Sequence, residues 1–336
     1  MKPVNATVTE VMESPPTLLK PYFEELIQVQ ISEDNLLTWI SQWSEIRKLV
    51  DESYARLQLN RALDTTDENA DMQYRNFIME TYPRYLAYDQ TLKNLLIESG
   101  YVPEGLERPL EVMKAESSVF LEENLMLEAE ERKLGAEYDK IVGAQTVEWE
   151  GEEVTVTHLE AKSLVPEREV REKAWRLIAD RWLQDRETIN EVWTKLLDVR
   201  QQITKNLGLP DFRAAKWPKL FRLDYTPEDS KEFVEAIEQV VVPIATQLYD
   251  EHAKRQRFDH VRPWDVFYNS STFRFPTLTI YEDVETFKST GSQVFHSVHP
   301  KVGEFFDIMR QKDLLDLENR RGKAPGAFCT SFATQE

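Results

Sequence analysis

The residues best placed to do chemistry lie near the C-terminus: Gly326, Ala327, Phe328 and Cys329, within Gly322-Lys323-Ala324-Pro325-Gly326-Ala327-Phe328-Cys329-Thr330-Ser331-Phe332. The short runs 315–318 and 327–332 flank turn formers at Gly322, Pro325 and Gly326, so the pattern predicts a C-terminal hairpin. A glycine at the mouth of a strand lets a second backbone approach, and an unpaired strand edge takes up an extended peptide through main-chain hydrogen bonds. The chemistry in outline is peptide binding. The competing reading is an ordinary surface hairpin.

Other candidates carry less. Cys329 is the single cysteine, which rules out an intramolecular disulfide, and no histidine lies near it in sequence to activate a nucleophile. His296 and His299 are spaced to share a helix face and a metal ion, but Pro300 ends that helix and no third ligand is near. Glu116, Glu122, Glu123, Glu128, Glu130 and Glu131 read as a solvated helix face rather than as metal-binding carboxylate pairs. Of the five histidines, His158, His252, His260, His296 and His299, none stands in an HExxH, and His158 reads as structural. GxSxG, a phosphate-binding glycine loop and CxxC are absent as well.

The segment Gly322 to Cys329 resembles the GKxxGAFC segment of the oligoendopeptidase F group of zinc metallopeptidases, which includes the Pz-peptidases. Upstream, Arg262-Pro263-Trp264-Asp265 is similar to that family's RPWD segment, in the same order and at comparable spacing. The resemblance implies a helical scaffold first, a hairpin lining the substrate channel with Gly326, Ala327, Phe328 and Cys329 on its wall, and an HExxH helix beyond it. A zinc peptidase of this type needs two histidines one helical turn apart and a glutamate between them, and no position here can inherit those roles. The expectation is therefore the N-terminal part of a zinc-dependent oligopeptidase that cleaves internal bonds of short peptides with zinc-activated water. Its zinc site would lie outside this chain, and this chain alone would be inactive. The alternative is a non-catalytic, truncated helical protein that binds peptides or protein partners and self-associates through surface exposed by truncation.

The elements that must position these residues are mostly helical. A chain of 336 residues can bury a sizeable core, and its formal net charge of −19 argues against a nucleic-acid partner. No apolar run is long enough to span a bilayer, and the N-terminus lacks a secretory pattern, so a cytoplasmic protein with no membrane partner is expected. After an arm over 1–20 with Pro3, Pro15 and Pro16, a helix is predicted from Ser32 through Leu36, Trp39, Ile40, Trp43, Ile46 and Leu49. Another runs from Asp67 to Ser99, kinked at Pro83 and stopped by Gly100, and a third from Pro109 to Val142. Alternation around Glu150-Gly151, with Val147, Trp149, Val154 and Val156, predicts a small inserted hairpin.

The longest expected helix, Pro166 to Leu207, carries a stripe of Trp175, Ile178, Trp182, Ile189, Trp193, Leu196 and Ile203 that reads as core. Arg168 and Arg176 stand at ion-pair spacing from Glu172. A helix from Thr226 is expected to bend at Pro243, and the turn at Pro263 to be held by Arg262 pairing with Asp265 and by Trp264. Two further helices, near 281–297 and 300–312, precede the terminal segment. The fold class that follows is mainly α, a large helical scaffold with a small β-hairpin insertion and a C-terminal hairpin forming one wall of a substrate channel. The boundary drawn is 1–143 as an N-terminal helical region and 144–336 as the incomplete N-terminal side of a catalytic domain.

Overall fold

The computed structural model describes residues 3–13, 17–266 and 281–334, so Pro15 and Pro16 of the expected arm lie outside the described residues. The chain is mainly α-helical and divides into two compact units, one of residues 1–144, 185–233 and 322–336, the other of 145–184 and 234–321.

The first unit begins with α1 (Val8–Glu13), α2 (Lys20–Gln28) and α3 (Leu36–Leu63). Ser32 does not open α3; its carbonyl and the Asn35 side chain close a turn first, and the helix starts one turn later. The expected stripe is buried: Trp39, Trp43, Ile46, Leu49, Val50 and Leu57 join Phe23 and Leu26 in the main core. Both indoles keep a partner, Trp39 donating to the Leu26 carbonyl at 3.0 Å and Trp43 to Asp89 at 2.8 Å.

Asp67 caps α4 (Glu68–Asn76) by accepting from the Asn69 and Ala70 amides. The chain then passes through a π turn, Phe77–Thr81, into α5 (Tyr82–Ser99), which ends at Gly100 with φ 73°. Pro83 lacks the N–H that an α-helix would use, and the wider turn just before it absorbs that loss. The helix expected over 109–142 is two, α6 (Glu107–Ser118) and α7 (Leu125–Gly143), because buried Asn124 turns its amide to the Ile203 carbonyl between them. The acidic face of these helices is laced with cations: Glu116 meets Lys93, Glu131 meets Arg200, Glu130 meets Lys133, and Glu128 meets Lys219 and Arg132.

The second unit opens with β1 (Thr146–Trp149) and β2 (Glu152–Thr155), antiparallel in register Val147↔Val154. Glu150 and Gly151, at φ 54° and 89°, form the two-residue turn that the sequence indicates. Val156 starts α8 (Val156–Glu160) instead of extending the strand.

The single long helix expected over 166–207 is broken at Asp185 into α9 (Arg168–Gln184) and α10 (Arg186–Asn206). Its tryptophan stripe is not core: Trp175 and Trp193 are 39% and 51% exposed and Trp182 is half-buried. Ile203 of that stripe is buried, and Ile178 and Leu196 pack half-buried against core residues; the other buried positions are Arg171 and Ala174 on α9 and Val192, Val199 and Thr204 on α10. A break in mid-helix changes which residues share a face, so one stripe extrapolated through Asp185 holds for its aliphatic members Ile178, Leu196 and Ile203 and fails for its tryptophans.

Then come α11 (Phe212–Lys219), which like α10 belongs to the first unit, α12 (Pro227–Ala236), a second π turn at Ile237–Val241, and, in the second unit, α13 (Val242–Gln256), whose Pro243 stands as Pro83 does, just past the widened turn. Helices α14 (Val284–Val298) and α15 (Pro300–Gln311) complete this unit, packed so closely that a Cβ on Gly303 would lie 2.3 Å from the His296 ring.

Candidate functional site

The C-terminal segment belongs to the first unit and is fixed there by helix ends. The last turn of an α-helix leaves carbonyls without an intrahelical donor. Ala62, in the last turn of α3, accepts from the Ala324 amide at 2.9 Å, and Gly143, the last residue of α7, accepts from the Gly322 amide at 3.2 Å. The Gly322 carbonyl in turn accepts from Thr65, through its amide at 2.6 Å and its hydroxyl at 2.8 Å. Close approach fixes two glycines: a Cβ on Gly143 would lie 2.9 Å from the Lys323 carbonyl oxygen, and one on Gly322, at φ 81°, would lie 2.9 Å from Asp64 Oδ1.

A second anchor follows ten residues later. Glu52 on α3 is 1% exposed, and its Oε2 accepts from the Thr334 amide at 2.7 Å and the Thr334 hydroxyl at 2.6 Å. Its Oε1 takes Arg56 at 2.7 Å, and the Arg56 guanidinium lies 4.1 Å from the centre of the Phe332 ring. Burial pushes the Glu52 carboxyl up, but the Thr334 donors and Arg56 outweigh it and hold it below its ordinary value.

Between the anchors, residues 325–331 are exposed without interruption, Phe328 at 57%, and Cys329 is a free thiol. The C-terminal hairpin expected here is not formed: among the described residues the two arms do not pair, and the only sheet is β1–β2. The donors at 322 and 324 are committed to helix carbonyls, and Gly322 and Gly326 each turn the chain separately, at φ 81° and 84°. Gly326, Ala327, Phe328 and Cys329 therefore lie together on one exposed strap. A Cβ on Gly326 would meet nothing within 4 Å, so Gly322 rather than Gly326 is the glycine required by close packing.

Sequence reasoning missed Glu52, Arg56, Thr65, Gly143 and Thr334. Glu52 had a signal, a carboxylate set between the buried Val50 and Ser53 of α3, but its partner stands 282 residues away.

The Arg262-Pro263-Trp264-Asp265 segment is structural, within the second unit. Asp265 receives Arg168 at 2.7 Å, Arg171 at 3.0 Å and the Arg262 amide at 3.0 Å. Arg262 contributes its amide, so the expected ion pair with Asp265 belongs to Arg168 and Arg171. Arg168 is thereby drawn away from Glu172, which pairs with Arg176. Trp264 does anchor the turn, between Trp175 at 5.6 Å and Arg176 at 5.0 Å. Beside this cluster, His252 is 1% exposed, its ring nitrogens have no hydrogen-bond partner among the described residues, and burial lowers its pKa.

The donor set does not fit a zinc ion. His296 binds Asp307 at 2.8 Å, while His299 caps α15 by accepting from the Lys301 amide at 3.1 Å. Among the described residues no three His, Cys, Asp or Glu side chains converge on a point that could hold a metal.

A comparison with curated proteins gave no match. The structure is similar to the oligoendopeptidase F structure from Bacillus anthracis str. Ames, with TM-score 0.85 and 21% identity over 98% of this chain and 60% of that one. It is similar to Pz peptidase A, solved with an inhibitor, with TM-score 0.87 and 21% identity over 99% of this chain and 58% of that one. A more distant likeness, TM-score 0.54 at 13% identity, links it to oligoendopeptidase F from Enterococcus faecium, over 93% of this chain and 66% of that one. The chain thus spans about 60% of the length of the first of these structures. The model of peptidase family M3 matches residues 163–336, more than half of the sequence and including both the Asp265 cluster and the strap, and the chain belongs to peptidase family M3.

Proposed function

We propose that this chain is the helical scaffold, and one wall of the substrate channel, of a zinc-dependent oligopeptidase that cleaves internal bonds of short peptides. The observation that carries the reading is the match to peptidase family M3 across the segment that ends in the strap. Likeness in fold to oligoendopeptidase F and Pz peptidase structures supports it. Residues 325–331 are exposed and the segment is held at both ends, as suits a strap to which an extended peptide adds its own backbone hydrogen bonds. Gly326 leaves room for that approach, and Phe328, on the same strap, offers an apolar contact.

The zinc ion and its activated water would be held by residues outside this chain; among the described residues no donors converge. What the chain itself supplies is positioning. The division proposed for the whole is a helical region over 1–143 and, from 144, the first part of the catalytic domain.

No described helix is long and apolar enough to cross a membrane. Apolar side chains do stand exposed on the second unit, including Val240, Ile244, Val298 and Phe305. They are the observation that favours the second reading, a helical protein that binds partners or a second copy of itself.

The test is turnover of an internally quenched oligopeptide by the protein purified at its native length, with products mapped by mass spectrometry. Cleavage at internal bonds, lost with chelator and restored by zinc, is expected. Peptide left intact by that protein would overturn the peptidase reading.

A further inference from the structure

The strap is held from a direction that the match over residues 163–336 does not cover, since its outer anchor is on α3. Glu52 is a buried carboxylate, and an unpaired charge in such a place is costly. Both oxygens are used, and both uses point at the tail: Oε2 takes the two donors of Thr334, while Oε1 fixes Arg56 against the Phe332 ring. The inner anchor, Thr65 to Gly322 and Ala324 to Ala62, sets where the strap begins. A segment tied at one end only would sample many conformations, and each immobilised residue lowers the ordering cost left for a ligand.

We infer that Glu52 is a positioning residue for peptide recognition, holding Gly326 to Cys329 in their exposed arrangement by clamping Thr334 and, through Arg56, Phe332. It would not touch the peptide. The inference rests on the reading of the strap as a peptide-binding wall, and it adds a requirement outside the matched region.

The chain's single, exposed cysteine lies on the strap, so a nitroxide at Cys329 reports its order directly in the 336-residue chain. Three variants are compared with the unaltered protein. Glu52→Ala removes the acceptor, Glu52→Gln keeps an acceptor for Thr334 but loses the charge, and Thr334→Pro removes both donors from the tail without touching α3. Circular dichroism identifies which variants remain folded, and Thr334→Pro keeps the test available if α3 does not tolerate alanine. The expected result is a restricted line shape in the unaltered protein, a mobile one in Glu52→Ala and Thr334→Pro, and substantial recovery in Glu52→Gln.

Binding of a fluorescein-tagged oligopeptide to the same proteins without the spin label should weaken about tenfold where the strap is mobile and recover with Glu52→Gln. A restricted line shape in folded Glu52→Ala or Thr334→Pro would overturn the inference. So would a mobile strap that binds peptide unchanged. If the unaltered chain binds no peptide, the peptide-wall reading fails and the recognition role falls with it, while the line shapes still decide whether Glu52 orders the strap.

Discussion

Arg171 and Asp265 form an ion pair of 3.0 Å in which neither side chain reaches solvent, across 94 residues of sequence. Arg171 also donates to the carbonyls of Val165, Pro166 and Trp264, so all three of its guanidinium nitrogens are engaged. This pair, with Arg168, ties the start of α9 to the turn at Pro263.

Breaking a buried pair strands the partner charge, which costs about 3 to 5 kcal/mol. Asp265→Ala should therefore lower unfolding free energy by that order, and Arg171→Met by a similar amount. Arg176→Ala, which removes an exposed pair with Glu172, should cost under about 1 kcal/mol. Urea denaturation followed by circular dichroism separates the three; equal effects would show that burial is not what matters here.

Acid should weaken the same unit in two steps. His252 sits near Asp265, Arg171 and Arg255, and burial lowers its pKa, so the unfolded chain takes up a proton before the folded one does. Stability is then complete above the ordinary histidine value of about 6.5 and declines as pH falls below it. Asp265 is also lowered: burial opposes ionisation, but Arg168, the Arg262 amide and Arg171 outweigh it. Its contribution is complete above an ordinary aspartate pKa of about 4 and is lost as pH falls through the lower folded value. Denaturation midpoints from pH 8 to 3 check both steps, and His252→Phe should flatten the first.

The two strap glycines should respond differently to alanine. Both have positive φ, which costs a side chain about 1 to 2 kcal/mol. Gly326→Ala should cost no more than that, since the space around it is open, whereas Gly322→Ala also drives a Cβ to 2.9 Å from Asp64 Oδ1 and should cost more. Thermal melts rank them. Gly326→Val carries the same backbone strain and should lose stability along with peptide binding.

Tryptophan burial gives a direct contrast. Trp39, fully buried on α3, should cost about 3 to 5 kcal/mol on replacement by alanine. Half-buried Trp182 should cost clearly less, and equal losses would place Trp182 in a core where the structure does not put it.

What was legible in the sequence was local. The α3 stripe of Trp39, Trp43 and Ile46 faces the core as its spacing indicates, and Glu150-Gly151 makes the turn that its residue types require. Pro83 and Pro243 mark real irregularities, although π turns take the place of simple bends. Three misses share one cause, a partner far away in sequence. Asn124 breaks a helix because it bonds Ile203, Arg168 leaves Glu172 for Asp265, and the terminal segment gives its donors to α3 and α7 instead of to itself. Gly326 to Cys329 could be singled out from residue types and family resemblance, but Glu52 and Thr65, which hold the strap, are visible only once the chain is folded.

The most direct test of the account is to irradiate the 336-residue chain with an oligopeptide carrying a photoreactive phenylalanine analogue and to map the adduct by mass spectrometry. The account predicts adducts concentrated at Gly326 to Cys329 and suppressed by excess unmodified peptide. Competable adducts confined to other segments, with none on the strap, would contradict it.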